Sequence, residues 1–502
     1  MWWRDASVTL PCGRGSDRLG SMAEKSNPTR RDVVKAAGVA TAAVAVAGLE
    51  RAPAILKAHA ASDQMKYGVI GLGGRGGYLL KHLTKVDNGH CSAICDLDDA
   101  KLDKASATIG TNPSKYKDYR ELLADKNVEA VIIAVPLFEH YDITRDTLQA
   151  GKHTFCEKSL VFKAEEIHAL RALVAQYPKQ VLQVGLQRRY SKFYQLAKEM
   201  VDKGVLGDVT HMHALWHRNP GWVMNGFNWR LYREYSGGLA AELASHQVDI
   251  ADWIFGGSPD FVIGVGGLDT WKDGRDVFDN IQLIYQYPKG RKLTYSAIST
   301  NRHLPILNNT RPEFGEVIMG TAGALEITVG DGEATMPTAL WYREPEKVTA
   351  QKADGKAPAT AAGASYALGG TQKGLPIALA TDQLKVGPDD SFLAREKKFA
   401  QRWLYGKGIM ADDEDRNPVE TELESFFNDC HTGGHPKADL EIGLRDSTAV
   451  ILSNLCMEQE RRVYFKEIDT LGANVTPQQM AANLAASQSS YTKSLAAKKK
   501  VS

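Results

Sequence analysis

The chain has almost no net charge: 61 lysines and arginines face 60 aspartates and glutamates, a balance of +1 over 502 residues. No basic surface for a nucleic acid follows from that, and the Lys498-Lys499-Lys500 run reads as part of a solvated tail. Cysteine is scarce too. The six cysteines, at 12, 91, 95, 156, 430 and 456, form no CxxC pair and no framework spacing, which argues against a disulfide scaffold. Cys91, Cys95 and Cys156 fall in apolar runs, where a thiol serves as a small apolar filler. Long hydrophobic runs are missing as well. The Ala-rich stretch from Ala36 to Leu49 is too short to span a bilayer, so no stable membrane span is expected. There is no internal repeat. What remains is 43% hydrophobic and 24% charged, the composition of a globular chain. The length exceeds what one core usually holds, so two domains plus extensions are expected.

The most informative stretch runs from Met65 to Asp96. An apolar run leads into Gly71-Leu72-Gly73-Gly74-Arg75-Gly76, an amphipathic pattern carries Tyr78, Leu79, Leu80 and Leu83, and a second apolar run ends at Asp96. Strand, glycine turn, helix, strand and acid make a dinucleotide-binding βαβ unit. Gly71 permits the tight turn, Gly73 lets a pyrophosphate approach the backbone, and Gly76 lets helix and strand pack closely. The start of the helix offers unpaired N–H groups to phosphates. Asp96 falls where a carboxylate can accept from ribose hydroxyls. It would repel a 2′-phosphate, so NAD is favoured over NADP.

Strand–helix alternation continues to about Tyr177, with a strand over 128–135 ending at Pro136, His140 at the head of the next helix, and a strand running into Glu157-Lys158. Pro136, His140, Glu157 and Lys158 share the carboxyl edge of this parallel sheet with the glycine loop, where ligands bind in such sheets. From Gln187 the pattern becomes alternating strands typical of an antiparallel sheet, interrupted by one helix over 239–255. The expected fold is α/β: a Rossmann dinucleotide-binding domain over 61–186, then an α/β domain with an open, mostly antiparallel sheet over 187–470. An exposed insertion over 345–375 and a loosely held polar tail over 471–502 complete it. On the embedded helix Glu242, His246 and Asp249 are spaced i, i+4, i+7 and share one face; a solvated stripe would look the same. Gln187 and Arg189 could hold cofactor or substrate. Trp216 to Trp222 and Asn228-Trp229-Arg230 interleave aromatic rings with polar donors, which suits a sugar. His211, His213 and His217 lie on one strand face without an acid or cysteine to complete a site, so no metal is expected.

Four motifs in this order and spacing resemble the Gfo/Idh/MocA (glucose-fructose oxidoreductase/inositol dehydrogenase) family: GLGGRG with Asp96, the strand ending in Pro136 with His140, Glu157-Lys158, and Gly-Gly-x3-Glu-x3-His-x2-Asp at 237–249. The similarity runs from Met65 to about residue 330. It implies that nicotinamide and a sugar or cyclitol meet between two domains, that Lys158, Glu242 and His246 line the reacting carbon, and that the open sheet supports a homo-oligomer. Two positions depart from the family pattern: Ser159 replaces a proline and Glu242 an aspartate. Hydride leaves a carbon as its hydroxyl proton is taken, and a base poised near neutral pH does this best. The expected roles are His246 as base, Lys158 as polarising donor or alternative base, and Glu242 as orienter of the imidazole. Gly71, Gly73, Gly74, Arg75, Gly76, Asp96, Pro136, His140, Glu157 and Lys158 are expected to hold the cofactor, and Arg189, Trp229, Arg230 and Asp249 the substrate.

Residues 1–60 resemble a twin-arginine export signal: Arg30-Arg31, the run from Ala36 to Leu49, then Ala58-His59-Ala60 at cleavage spacing. Met22 is a plausible start. The resemblance implies recognition by the twin-arginine export machinery and a periplasmic or extracellular location. Two chemistries fit: an NAD-dependent oxidoreductase on a sugar or polyol with tightly held cofactor, or an NAD-dependent glycosidase or lyase that oxidises transiently, eliminates and returns the hydride.

Overall fold

Five largely apolar runs and the polar edge segment Ser114–Tyr116 form six parallel strands: β1 (Met65–Ile70), β2 (Gly89–Cys95), β3 (Ser114–Tyr116), β4 (Ala130–Ile133), β5 (His153–Glu157) and β6 (Leu182–Gly185). Their order, β3-β2-β1-β4-β5-β6, reverses direction between β1 and β4. In a doubly wound sheet that reversal opens a crevice beyond the carboxyl ends of the strands. The computed structural model describes residues 64–218, 227–300, 314–329, 338–343, 377–380, 404–409 and 416–501. The expected export signal, residues 219–222 of the aromatic segment and the expected insertion over 345–375 lie outside the described residues. Cys91, Cys95 and Cys156 are free and buried in this sheet, and burial pushes each thiol up to about 12.

The alternating runs that follow form a nine-stranded sheet: β7 (Val209–His217), β8 (Phe261–Gly267), β9 (Asn280–Gln286), β10 (Lys292–Ile298), β11 (Phe314–Gly320), β12 (Gly323–Val329), β13 (Thr338–Arg343), β14 (Ile377–Ala380) and β15 (Val463–Tyr464), in the order β14-β13-β12-β11-β7-β10-β9-β8-β15. Among the described residues every pairing in this sheet is antiparallel except β7 with β10. Leu293, Tyr295 and Ala297 alternate inward on β10 and pack in one core with residues of the helices Ser245–Phe255 and Leu440–Glu458. The expected α/β architecture is therefore the observed one.

Late segments complete both cores. Helix Pro418–Thr432 starts with Asn417 accepting from Val419 N at 3.0 Å and with proline in its first turn. Its Leu423, Phe426 and Phe427 are fully buried against the first sheet, and Phe427 stacks on Tyr67 at 5.1 Å. Each such side chain contributes roughly 1.5–3 kcal/mol by leaving water. Helix Leu440–Glu458 places Leu444 in the first domain's core and Ala449, Val450 and Leu452 in the second's. The stretch expected to be a loosely held tail is instead a helix, Pro477–Val501. Its polar composition hides a narrow contact face.

Candidate active site

The glycine loop does what its residue types allow. Gly71 adopts φ +88°, and a Cβ there would meet Ala134 O at 2.5 Å. A Cβ on Gly76 would meet Gly71 O at 1.9 Å, so turn and helix can approach only without one. Gly73 and Gly74 differ: a Cβ on either meets no atom within 4 Å, because both face the open cleft. That is the space through which a pyrophosphate reaches the backbone and the start of helix Gly74–Leu83. Asp96 follows β2 directly and ties the loop down, its Oδ2 accepting from Leu72 N at 2.8 Å and its Oδ1 from Asp98 N at 3.0 Å. Oδ2 retains a lone pair for a ribose hydroxyl. These residues fit a dinucleotide.

Arg75 projects from the loop into a polar cluster. Its Nε donates to Glu157 Oε1 at 2.7 Å and its Nη2 to Gln187 Oε1 at 2.5 Å. Of the expected cofactor ligands, the glycine loop, Asp96, Pro136, His140, Glu157 and Lys158 all line a cleft of about 990 Å³, except that Gly76 faces the turn. His140 has its polar atoms turned to the protein: Nδ1 lies 2.8 Å from Ser159 O and Nε2 3.1 Å from Val135 O. It holds the loop that carries Lys158 and offers the cleft a ring edge. The Lys158–Ser159 peptide is cis.

Lys158 crosses to the second domain. Its Nζ donates to Ala241 O at 2.9 Å and Glu242 O at 2.7 Å. Those carbonyls belong to a π-helical turn, Ala240–Ala244, ahead of helix Ser245–Phe255. An ammonium has three N–H donors, so one remains for a ligand in the cleft. Burial pushes the Lys158 pKa down, while the Glu242 carboxylate opposes that shift. His246 lines the same cleft, with its ring centroid 5.7 Å from that of Trp216. Burial, reinforced by Lys158 and nearby arginines, holds its pKa well below the usual histidine range, so the ring is neutral at pH 7.

The π turn also changes what the sequence spacing implied. Its i→i+5 geometry breaks the 3.6-residue period ahead of His246; Glu242 and His246 both still line the cleft, whereas Asp249, on the regular helix, does not. Glu242, expected to orient the imidazole, makes no hydrogen bond to it. Its Oε2 accepts from Arg230 Nε at 3.0 Å, while His246 Nδ1 is buried without a hydrogen-bond partner among the described residues. Asp249 and Arg189, expected to hold the substrate, do not line the cleft. They form a forked ion pair, with Arg189 Nη2 at 2.6 Å and Nε at 2.9 Å from Asp249 Oδ1, and both side chains are buried away from the cleft. Trp229 and Arg230 do line it, the guanidinium 4.4 Å above the indole. Asn228 caps that turn by accepting from Arg230 N. Lys101, Lys117, Tyr119 and Tyr491 line the cleft as well and escaped the sequence reading. Lysines on a helix and loop carry no pattern, and Tyr491 lies in the stretch read as a tail. Among the described residues no three His, Cys, Asp or Glu side chains converge in a way that could hold a metal ion.

Comparison with known proteins places this architecture. A model described as the oxidoreductase family with an NAD-binding Rossmann fold matches residues 65–186, and one for the GFO/IDH/MocA C-terminal domain matches 194–326. An inositol 2-dehydrogenase/D-chiro-inositol 3-dehydrogenase of Lactiplantibacillus plantarum is 34% identical over 191 residues, covering 38% of this chain and 52% of that protein. A myo-inositol 2-dehydrogenase of Thermotoga maritima is 28% identical over 206 residues, covering 41% and 59%. The match thus spans little more than half the length of these curated relatives. Among solved structures, an aldose-aldose oxidoreductase from Caulobacter crescentus complexed with glycerol superposes with a TM-score of 0.60 at 17% identity, covering 80% of this chain and 99% of that one. A scyllo-inositol dehydrogenase from Lactobacillus casei with bound NAD(H) and scyllo-inositol superposes at 0.57 and 20% identity, covering 80% and 99%. At those identities the likeness is one of fold. With both of its domain models matched in sequence order over just over half of its residues, the chain belongs to the Gfo/Idh/MocA family of oxidoreductases, with an NAD-binding Rossmann domain.

Proposed function

We propose that the protein transfers hydride between NAD and a hydroxyl-bearing carbon of a sugar or polyol, with a cyclic polyol as the first candidate. The observation that carries this reading is the convergence of the glycine loop, Asp96, Lys158 and His246 on one cleft. The inositol dehydrogenases among its relatives support the substrate class. Bound NAD would supply the hydride acceptor or donor; the rest falls to the chain. Lys158 directs its remaining N–H at the substrate oxygen and stabilises the charge that develops there. His246, kept neutral by its surroundings, accepts the hydroxyl proton. Trp229 offers a flat face to the ring and Arg230 a donor, while Glu242 anchors Arg230.

The test is a panel of polyols, free sugars and aryl glycosides incubated with the purified protein and NAD. Stoichiometric NADH from a polyol or free sugar supports the reading. Release of an aryl leaving group with no net NADH overturns it. We further propose export by the twin-arginine route to the periplasm or beyond, on the strength of Arg30-Arg31 and the apolar run behind it. Replacing both arginines with lysine should retain the protein in the cytoplasm; unchanged fractionation counts against export. The half-exposed Ile284 and exposed Val265 on the second sheet favour a homo-oligomer, which light scattering on the purified protein would reveal.

A further inference from the structure

The C-terminal helix is a wall of the cleft that its composition concealed. Its start is a capping box: Gln479 Oε1 accepts from Thr476 N at 2.9 Å, Thr476 Oγ1 accepts from Gln479 N at 3.3 Å, and Pro477 opens the helix. Met480, Leu484, Ser487, Tyr491 and Leu495 recur every three or four residues, and all are buried or half-buried. This narrow face touches residues of both domains. The Tyr491 ring joins an aromatic cluster, 5.2 Å from Phe138 at the carboxyl edge of the first sheet and 5.5 and 5.4 Å from Phe227 and Tyr235, with Phe138 and Tyr235 themselves 5.2 Å apart. Aromatic rings at such separations attract beyond their area burial. Ser490 Oγ accepts from Tyr235 OH at 2.7 Å and donates to Glu234 at 3.2 Å, pinning the same turn. Tyr491, Thr492, Leu495 and Ala496 then line the cleft together with the glycine loop, Asp96 and Arg230. Burial pushes the Tyr491 phenol up to about 12, so it stays a neutral O–H donor at pH 7.

We infer that this helix belongs to the dinucleotide site: Tyr491 and Leu495 cover the bound nucleotide, and the helix, anchored by its aromatic contacts to both domains, slows its release. The inference rests on the reading of the cleft as an NAD site, and not on which substrate is oxidised. A bound nucleotide would lie between Asp96 and Arg230, and the Tyr491 side chain faces that space from the third side. Release then requires the helix to give up the Phe138, Phe227 and Tyr235 contacts. The retention appears in the dissociation rate more than in the association rate.

The experiment follows NAD release from the intact protein by stopped-flow tryptophan fluorescence, since Trp216 and Trp229 line the cleft. Tyr491→Ala should release NAD about tenfold faster or more, and Tyr491→Phe, which keeps the ring, should fall between it and the wild type. Release at the wild-type rate in Tyr491→Ala overturns the inference. Leu495→Ala, one turn on, keeps the test decisive should Tyr491→Ala fail to fold: faster release supports the inference and unchanged release overturns it. No polyol is present in this assay. Accelerated release in variants of a protein that oxidises no polyol therefore sinks the proposed substrate and leaves the inference standing. Intact turnover with unchanged release does the reverse.

Discussion

Two arginine–carboxylate pairs flank one helical segment and have different fates. Arg189 and Asp249 are closed on each other, the guanidinium forked on the carboxylate, with 6% and 3% of their side chains exposed. Arg230 and Glu242 meet through a single 3.0 Å contact at the cleft, with 32% and 14% exposed. The residue types are nearly interchangeable; what separates the pairs is whether donors and lone pairs remain for a ligand. A forked pair uses both and stays within the protein. A single contact on a cleft wall leaves guanidinium N–H groups and a carboxylate oxygen available, and only such a pair can take part in binding.

His246 lies between the two carboxylates on the segment and gives the sharpest contrast with both. His246→Ala should lower turnover by about 10²–10⁴-fold, the range of a lost general base, with NAD binding retained. A steady-state rate within a few-fold of wild type would remove it from the base role. The next largest effect falls on folding. Asp249→Ala leaves the Arg189 charge buried and unpaired, so urea denaturation should show a loss of about 3–5 kcal/mol. The double change Arg189→Met with Asp249→Leu should recover much of that loss, because apolar groups of similar size remove the uncompensated charge. If Asp249→Ala instead unfolds like wild type and raises KM, the closed pair is a substrate contact after all.

The glycine loop is easier to read from the sequence than the helical segment that carries these carboxylates. Gly71, Gly76 and Asp96 act within a contiguous βαβ unit, so local backbone constraints spell it out. The helix over 239–255 was legible as a helix, and its chemistry as a stripe, but the π turn at Ala240–Ala244 carries no residue signature. That turn breaks the helical period between Glu242 and His246 and presents Ala241 O and Glu242 O to Lys158. Partners such as Arg230 and Arg189 come from other segments, and spacing along one helix cannot register them. The C-terminal helix was missed for another reason. Its Thr476-Pro477-x-Gln479 capping box was present, but one apolar residue in every three or four among alanine, serine and lysine reads as solvated chain until Phe138, Phe227 and Tyr235 are there to receive it.

The pH dependence separates the two groups facing the substrate. His246 is held below the usual value near ~6.5, so the acid limb of kcat/KM should lie on the acid side of that value. The same shift acts on stability. A histidine buried neutral contributes stability that is present above its unfolded pKa and lost as pH falls towards its folded one. Lys158 is also lowered by burial, so the alkaline limb, where the donor loses its proton, should fall below the usual lysine value near ~10.4. Lys158→Met should depress the rate and abolish that limb. An alkaline limb that survives the change assigns it to another group.

The smallest effect belongs to Glu242, and it decides what the open pair is for. Its contact with Arg230 is a single one at the cleft, so Glu242→Gln should cost no more than ~1 kcal/mol of stability, as for pairs that keep access to water. Its charge matters more than its hydrogen bond. The carboxylate opposes the fall in the Lys158 pKa, and removing it leaves burial to act alone. The alkaline limb of kcat/KM should therefore move further to the acid side in Glu242→Gln, while the acid limb, set by His246, stays in place. A shift of the acid limb instead would mean that Glu242 works through the imidazole, as the i, i+4 spacing first suggested. An unchanged profile with a raised KM would mean that it serves only to hold Arg230 against the substrate.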